Sequence, residues 1–343
     1  MLAQSLRTRR TATTRSLQTP LVLWHLLSLD APTIATLWTW FLARANHIHL
    51  PAASLAAMFL AVWTLYAADR LLDARLLNDN PLEASTLEPR HLFHHRYRTA
   101  FLIAITAASA LLAAILPSLY PPAMRLYLIL ATLLSAYFIL IHVALTTHRL
   151  PKELAVGIFF AAATFIPTIA RNPALRLPLL PSALLFANLA SLNCLFIYAW
   201  EHEPNTTHPN PAHPDPANPD PANPDPTNPD PADPDPAHPD SSDPDPTHPD
   251  SSDPDHLHRD TAHPTTTFAL RYKSLLLATV AITGATLALL QRTAPWQIPT
   301  ACTLAALLLL ILHALRHKIP ATPLRAAADL ALATPLLLMP LLR

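Results

Sequence analysis

Long apolar runs separated by short polar loops dominate the chain. They lie at about Asp30 to Ala45, Ala52 to Leu72, Thr99 to Leu116, Met124 to Thr146, Pro151 to Ala170, Leu179 to Trp200, Phe268 to Leu290, Gln297 to Leu315 and Leu324 to Leu342. A helix of about 20 residues crosses the roughly 30 Å hydrocarbon core of a bilayer. None of the runs alternates polar and apolar residues as a membrane barrel strand would. The pattern predicts an all-α, polytopic membrane protein with about nine transmembrane helices, or eight if two short runs are re-entrant. Leu21 to Leu29, with Trp24 and His25, reads as an interfacial lead-in helix before the first span.

One segment breaks the pattern. From Pro204 to Pro264 a five-residue unit close to Pro-Asp-Pro-Ala-Asn/His recurs, with few apolar side chains. Such a stretch lacks the surface to bury a core, so it is expected to be an extended or disordered insertion. Its Asp and His residues offer weak metal contacts without a defined ligand geometry. The expected organisation is a basic tail over residues 1–19, six spans within 20–203, the insertion over 204–264, and three further spans within 265–343.

The insertion also hides the charge of the membrane body. The 23 Lys/Arg and 23 Asp/Glu balance over the 343 residues, yet thirteen of the acids fall between Pro204 and Pro264. The body keeps twenty-two basic residues against ten acidic ones, a balance that anionic membrane lipids attract. With nine spans, seventeen Lys/Arg fall on the side of the N-terminus and six on the other. The positive-inside rule then predicts a cytosolic N-terminus and an external C-terminus, in a bacterial inner membrane. Arg7, Arg9, Arg10 and Arg15 read better as a cytosolic tail than as a transit peptide.

Glycine occurs only at Gly157 and Gly284, so alanine must supply most close helix contacts. Cys194 and Cys302 sit in apolar runs without metal-type spacing and read as buried free thiols. There is no Walker loop, dinucleotide fingerprint or recognisable Ser/His/Asp arrangement. A transporter is disfavoured because no pair of Gly-broken spans stands in corresponding halves. Membrane lipids are the expected surroundings and nucleic acid is not an expected partner.

Candidate chemistry concentrates in Tyr66-Ala-Ala-Asp69-Arg70-Leu-Leu-Asp73-Ala-Arg75. Asp69 and Asp73, four residues apart, share one helix face where an apolar run ends. Two carboxylates beside arginines suit a Mg²⁺ ion carrying a diphosphate. They equally suit an ion-pair network at a helix end with Arg70 and Arg75. Asp329, within the last run, is a functional candidate because intramembrane carboxylates are costly, and Arg325 one turn earlier is its local partner. Between Arg90 and Arg98, His91, His94 and His95 have helical spacing for a metal, but a basic stretch contacting headgroups is the simpler reading.

Three stretches together resemble UbiA-type intramembrane prenyltransferases. Leu29-Asp30-Ala-Pro32-Thr-Ile-Ala-Thr-Leu-Trp38 is similar to the opening of that family's first span, and Ala68-Asp69-Arg70-Leu-Leu-Asp73 to the later part of its first aspartate-rich motif. His148-Arg149-Leu-Pro151-Lys152-Glu153-Leu-Ala-Val-Gly157, with Ile166-Pro167, resembles its entry into the fifth span. Leu65 and Tyr66 stand where the first motif begins with Asn-Asp. At the sixth span and after it come Asn193, Trp200, Glu201, His202 and Glu203, with no run of aspartates.

The resemblance implies a nine-helix bundle around a central cavity and transfer of a prenyl group from an isoprenoid diphosphate to an aromatic or lipid acceptor. It implies Asp69 and Asp73 as Mg²⁺ ligands, with Glu201 or Glu203 completing the metal and diphosphate site, and Arg70 and Arg149 as charges near the diphosphate. The other reading is a non-catalytic lipid-binding or accessory membrane protein of the same fold.

Overall fold

In a computed structural model, residues 20–76, 93, 96–139, 152–201 and 264–342 are described. They are mostly helical, with short turns between the helices and no strand among the described residues. A short α1 (Pro20–Leu26) precedes α2 (Asp30–Ala45), α3 (Ala52–Leu76), α4 (Arg98–Ile115), α5 (Pro121–Ile139), α6 (Lys152–Arg171) and α7 (Arg176–Glu201). Beyond the repeat follow α8 (Pro264–Leu290), α9 (Gln297–Leu315), α10 (Ala321–Ala331) and α11 (Pro335–Leu338). The tail over 1–19 and the insertion, apart from Pro264, lie outside the described residues, as do His91, His94 and His95.

Eight of the nine apolar runs are helical in their described parts, and the ninth is broken between Ala331 and Pro335. Backbone amides in hydrocarbon must be satisfied within their own segment, which leaves the helix as the available form. Six of the described helices are long and apolar enough to cross a membrane, and a bent pair, Pro323–Ala331 with Pro335–Leu341, makes up to seven. That is fewer than the expected nine. The 16 residues of α2 reach about 24 Å at about 1.5 Å per residue, short of a full crossing. The apolar run of α5 continues past Ile139 into residues that are not described.

α7 packs against α6, α8, α9 and α10, and α2 packs against α3, α6 and α10. Their shared core holds Trp38 and Phe41 of α2, Phe165 of α6, Phe186 and Phe196 of α7, and Leu309 of α9. Trp38 and Phe186 approach with ring centroids 4.2 Å apart. Small residues bring the helices close, with Ala301, Ala305 and Ala306 of α9 and Ala326 and Ala328 of α10 fully buried. Large apolar side chains such as Leu289, Ile282 and Ile103 face outward. The described part of α4 buries only Phe101 and Ala108. This distribution suits a hydrocarbon surround, where an exposed leucine carries no penalty.

Two interruptions of regular helix are repaired by neighbours. Pro167, inside α6, has no N–H for the carbonyl one turn back, and Tyr127 Oη of α5 donates to that oxygen, Ala163 O, at 3.2 Å. At the break between α10 and α11, Trp38 Nε1 donates to Leu332 O at 2.8 Å, and Thr334 Oγ1 donates to Ala301 O at 2.8 Å. The first bond satisfies a carbonyl freed by the helix end; the second fastens the break to α9.

Candidate functional site

The corner between α1 and α2 is made by Ser28, which adopts a left-handed conformation with φ 57°. Its amide bonds back to His25 O at 3.0 Å, and Trp63 Nε1 of α3 donates to Leu27 O at 3.1 Å. This reversal folds His25 onto the first residue of α2, Asp30. Asp30 Oδ1 accepts the Ala31 amide at 3.0 Å, where the positive end of the helix dipole favours a carboxylate.

His25 and Asp30 are both buried, and the His25 Nδ1 to Asp30 Oδ2 distance is 2.7 Å. Asp329, from α10, brings its Oδ2 to 3.6 Å from the same nitrogen. Asn193, buried on α7, donates Nδ2 to Asp329 Oδ1 at 3.1 Å. The Asn193 Oδ1 atom is buried with no hydrogen-bond partner. Arg70 of α3 lies with its guanidinium carbon 4.6 Å from the Tyr66 ring centroid and donates to the Tyr66 hydroxyl. Its charge acts on both Asp30 and Asp329. Five helical segments thus converge on one polar cluster inside an otherwise apolar bundle.

The electrostatics of the cluster are tightly balanced. Burial pulls the His25 imidazole down, but the hydrogen bonds and charges of Asp30 and Asp329 outweigh it and hold His25 above its ordinary value. His25 and Arg70 are the basic groups that face the two carboxylates. Buried charges persist only under such pairing.

Of the residues singled out from sequence, the structure brings Arg70 and Asp329 into this cluster. Asp69 is half-buried next to Arg70 on α3. Asp73 lies one turn further along α3, and Glu201 ends α7, but their side chains are outside what the structure describes. Arg149 and Glu203 fall outside the described residues. The sequence pointed to Asn193 only as one residue of the degraded second motif, and assigned neither His25 nor Asp30 to a site. The available signal was Asp30 itself, an acid at the head of an apolar run, which demands a partner.

A separate groove of about 600 Å³ opens between α6, α7 and α8. Leu192, Leu195 and Val280 give it an apolar wall, and Glu153, Asn188 and Thr279 supply polar groups. No residue of the His25 cluster lines it. The groove and the cluster are served by different faces of α7, with Leu192 and Leu195 on one and Asn193 on the other. Comparison with family models, with curated proteins and with solved structures gave no match.

Proposed function

We propose that this is a multi-pass membrane protein of UbiA-like architecture that transfers a prenyl group from an isoprenoid diphosphate to a lipophilic acceptor. The carrying observation is that Asp69 and Arg70 are adjacent in the later turns of α3, with the Arg70 charge acting on the interior carboxylates Asp30 and Asp329. The start of α2 and Asn193 of α7 both reach Asp329 or its partner His25 there. Asp69 and Asp73 would hold Mg²⁺ against the diphosphate, with Glu201 or Glu203 as a further carboxylate and Arg149 as further positive charge. The apolar groove between α6, α7 and α8 has room for hydrocarbon.

A carboxylate that only ends an ion pair tolerates asparagine, whereas a metal ligand loses the charge that balances the cation. Detergent-purified protein is expected to bind a labelled prenyl diphosphate in a Mg²⁺-dependent manner, and folded Asp69→Asn and Asp73→Asn variants at least tenfold more weakly, about 1.4 kcal/mol or more. Equal binding without Mg²⁺ and in both variants would remove the enzyme reading.

One observation favours the second reading, a non-catalytic lipid-binding protein of the same fold. Arg70 is engaged by Tyr66 and by interior carboxylates, so its charge is already balanced. The same binding measurement separates the two.

The nine-span arrangement puts the cluster on the cytosolic side. Reporter fusions after Asp79, Pro204 and Lys318 are expected to read cytosolic and one after Arg343 external. An external signal after Asp79 would invert the topology.

A further inference from the structure

We propose that His25, Asp30, Asp329 and Asn193 form a binding site for one first-row divalent transition-metal ion, separate from the Mg²⁺ assigned to Asp69 and Asp73. The site does not depend on prenyl transfer. One ligand atom from each of His25, Asp30 and Asp329 falls within a span of 4.8 Å. Ligands bonded at about 2.0–2.2 Å to one ion sit roughly 3–4 Å apart, so only small side-chain adjustments separate the present arrangement from a coordination sphere.

The second observation is Asn193. Its amide is 4% exposed, its nitrogen is spent on Asp329, and its oxygen has no partner. A buried amide oxygen without a hydrogen-bond partner is costly. Turning the amide over would set that oxygen against a carboxylate oxygen, which is repulsive unless a cation lies between them. An ion on Asp329 would give the Asn193 oxygen a partner once the amide turns over, in exchange for the present Nδ2–Asp329 bond.

The donor set chooses the ion. An imidazole nitrogen with carboxylate and amide oxygens suits Mn²⁺, Fe²⁺ or Zn²⁺, whereas Mg²⁺ takes oxygen ligands and keeps its waters. Entry of the ion displaces the His25 Nδ1 proton to solvent, because a metal-bound nitrogen must offer its lone pair. The exchange replaces one positive charge by two, and an anion or hydroxide in an open coordination position offsets the excess. Access is from the Asp329 edge, whose side chain is 16% exposed while those of His25 and Asp30 are 3% and 1% exposed.

The test is titration of the chelator-stripped full chain in detergent with Mn²⁺ alone, followed by electron paramagnetic resonance. One tight Mn²⁺ per chain is expected, with electron–nuclear coupling to a nitrogen that disappears in His25→Gln. Affinity is expected to fall at least tenfold in Asp329→Asn and severalfold in Asn193→Ala, and to be unchanged in Asp69→Asn. Ions held loosely by the Asp/His repeat form a background common to all variants. The proposal is overturned by absence of a tight ion, by a tight ion without nitrogen coupling, by unchanged affinity in Asn193→Ala, or by loss of the ion in Asp69→Asn. Should His25→Gln or Asp329→Asn not fold, the wild-type nitrogen coupling and Asn193→Ala decide the matter.

Discussion

Gly157→Ala is expected to lower the unfolding midpoint of the detergent-solubilised protein by roughly 5–10 °C, and Gly157→Leu to prevent a monodisperse fold. A Cβ at Gly157 would lie 2.1 Å from Ser191 Oγ, 2.5 Å from Ala187 O and 2.7 Å from Ser191 N. Two of these atoms are backbone, so no rotamer change relieves the contact and α6 must move away from α7. Two effects oppose each other. Alanine raises helix propensity by about 1 kcal/mol, whereas overpacking typically costs about 1–3 kcal/mol and more where backbone must shift. Here the overpacking wins, since α7 joins four other helices. Two to three kcal/mol at a few degrees each gives the stated shift. Gly284→Ala is the comparison: its Cβ meets Thr303 Oγ1 at 2.4 Å, but the nearest backbone atom, Pro299 O, is at 3.0 Å. Its midpoint should fall less, and equal losses at the two sites would contradict the account.

Arg70→Gln is expected to destabilise the folded state by about 2–3 kcal/mol, read as a loss of chemical-unfolding free energy. Breaking a buried pair by removing one partner costs about 3–5 kcal/mol, and the half-buried position of Arg70 reduces that. The double variant Arg70→Gln with Asp329→Asn should recover part of the loss, because one surplus negative charge has gone. A double-mutant cycle therefore yields a coupling energy of about 1 kcal/mol or more. Strict additivity would show that Arg70 does not neutralise the interior carboxylates.

The helices were legible because membrane-length apolar runs have one way to satisfy their backbone. Asp30–Ala45 and Gln297–Leu315 coincide with the runs read from sequence. The final run was read as continuous from Leu324 to Leu342, yet it divides at Leu332–Thr334, where Pro335 disfavours helix in the residue before it. The polar cluster was legible only in fragments. Local spacing pointed only to Arg325 as a partner of Asp329, whereas its carboxylate also meets His25 and Asn193, which are far away in sequence. Those meetings depend on how α1, α7 and α10 are rotated and ordered, and no residue pattern within one helix encodes that.

The bond from Trp38 to Leu332 joins residues 294 positions apart and so imposes an order on biogenesis. At about 5–20 residues per second, roughly 15–60 s of synthesis separate the two partners. Asp30 likewise enters the bilayer long before Asp329 exists. During that interval the first helices hold a carboxylate whose final partner set is incomplete, and the long repeat must be made before the last helices arrive. A chain truncated before α10 would lack both Asp329 and Leu332, and with them the partners of Asn193 and Trp38.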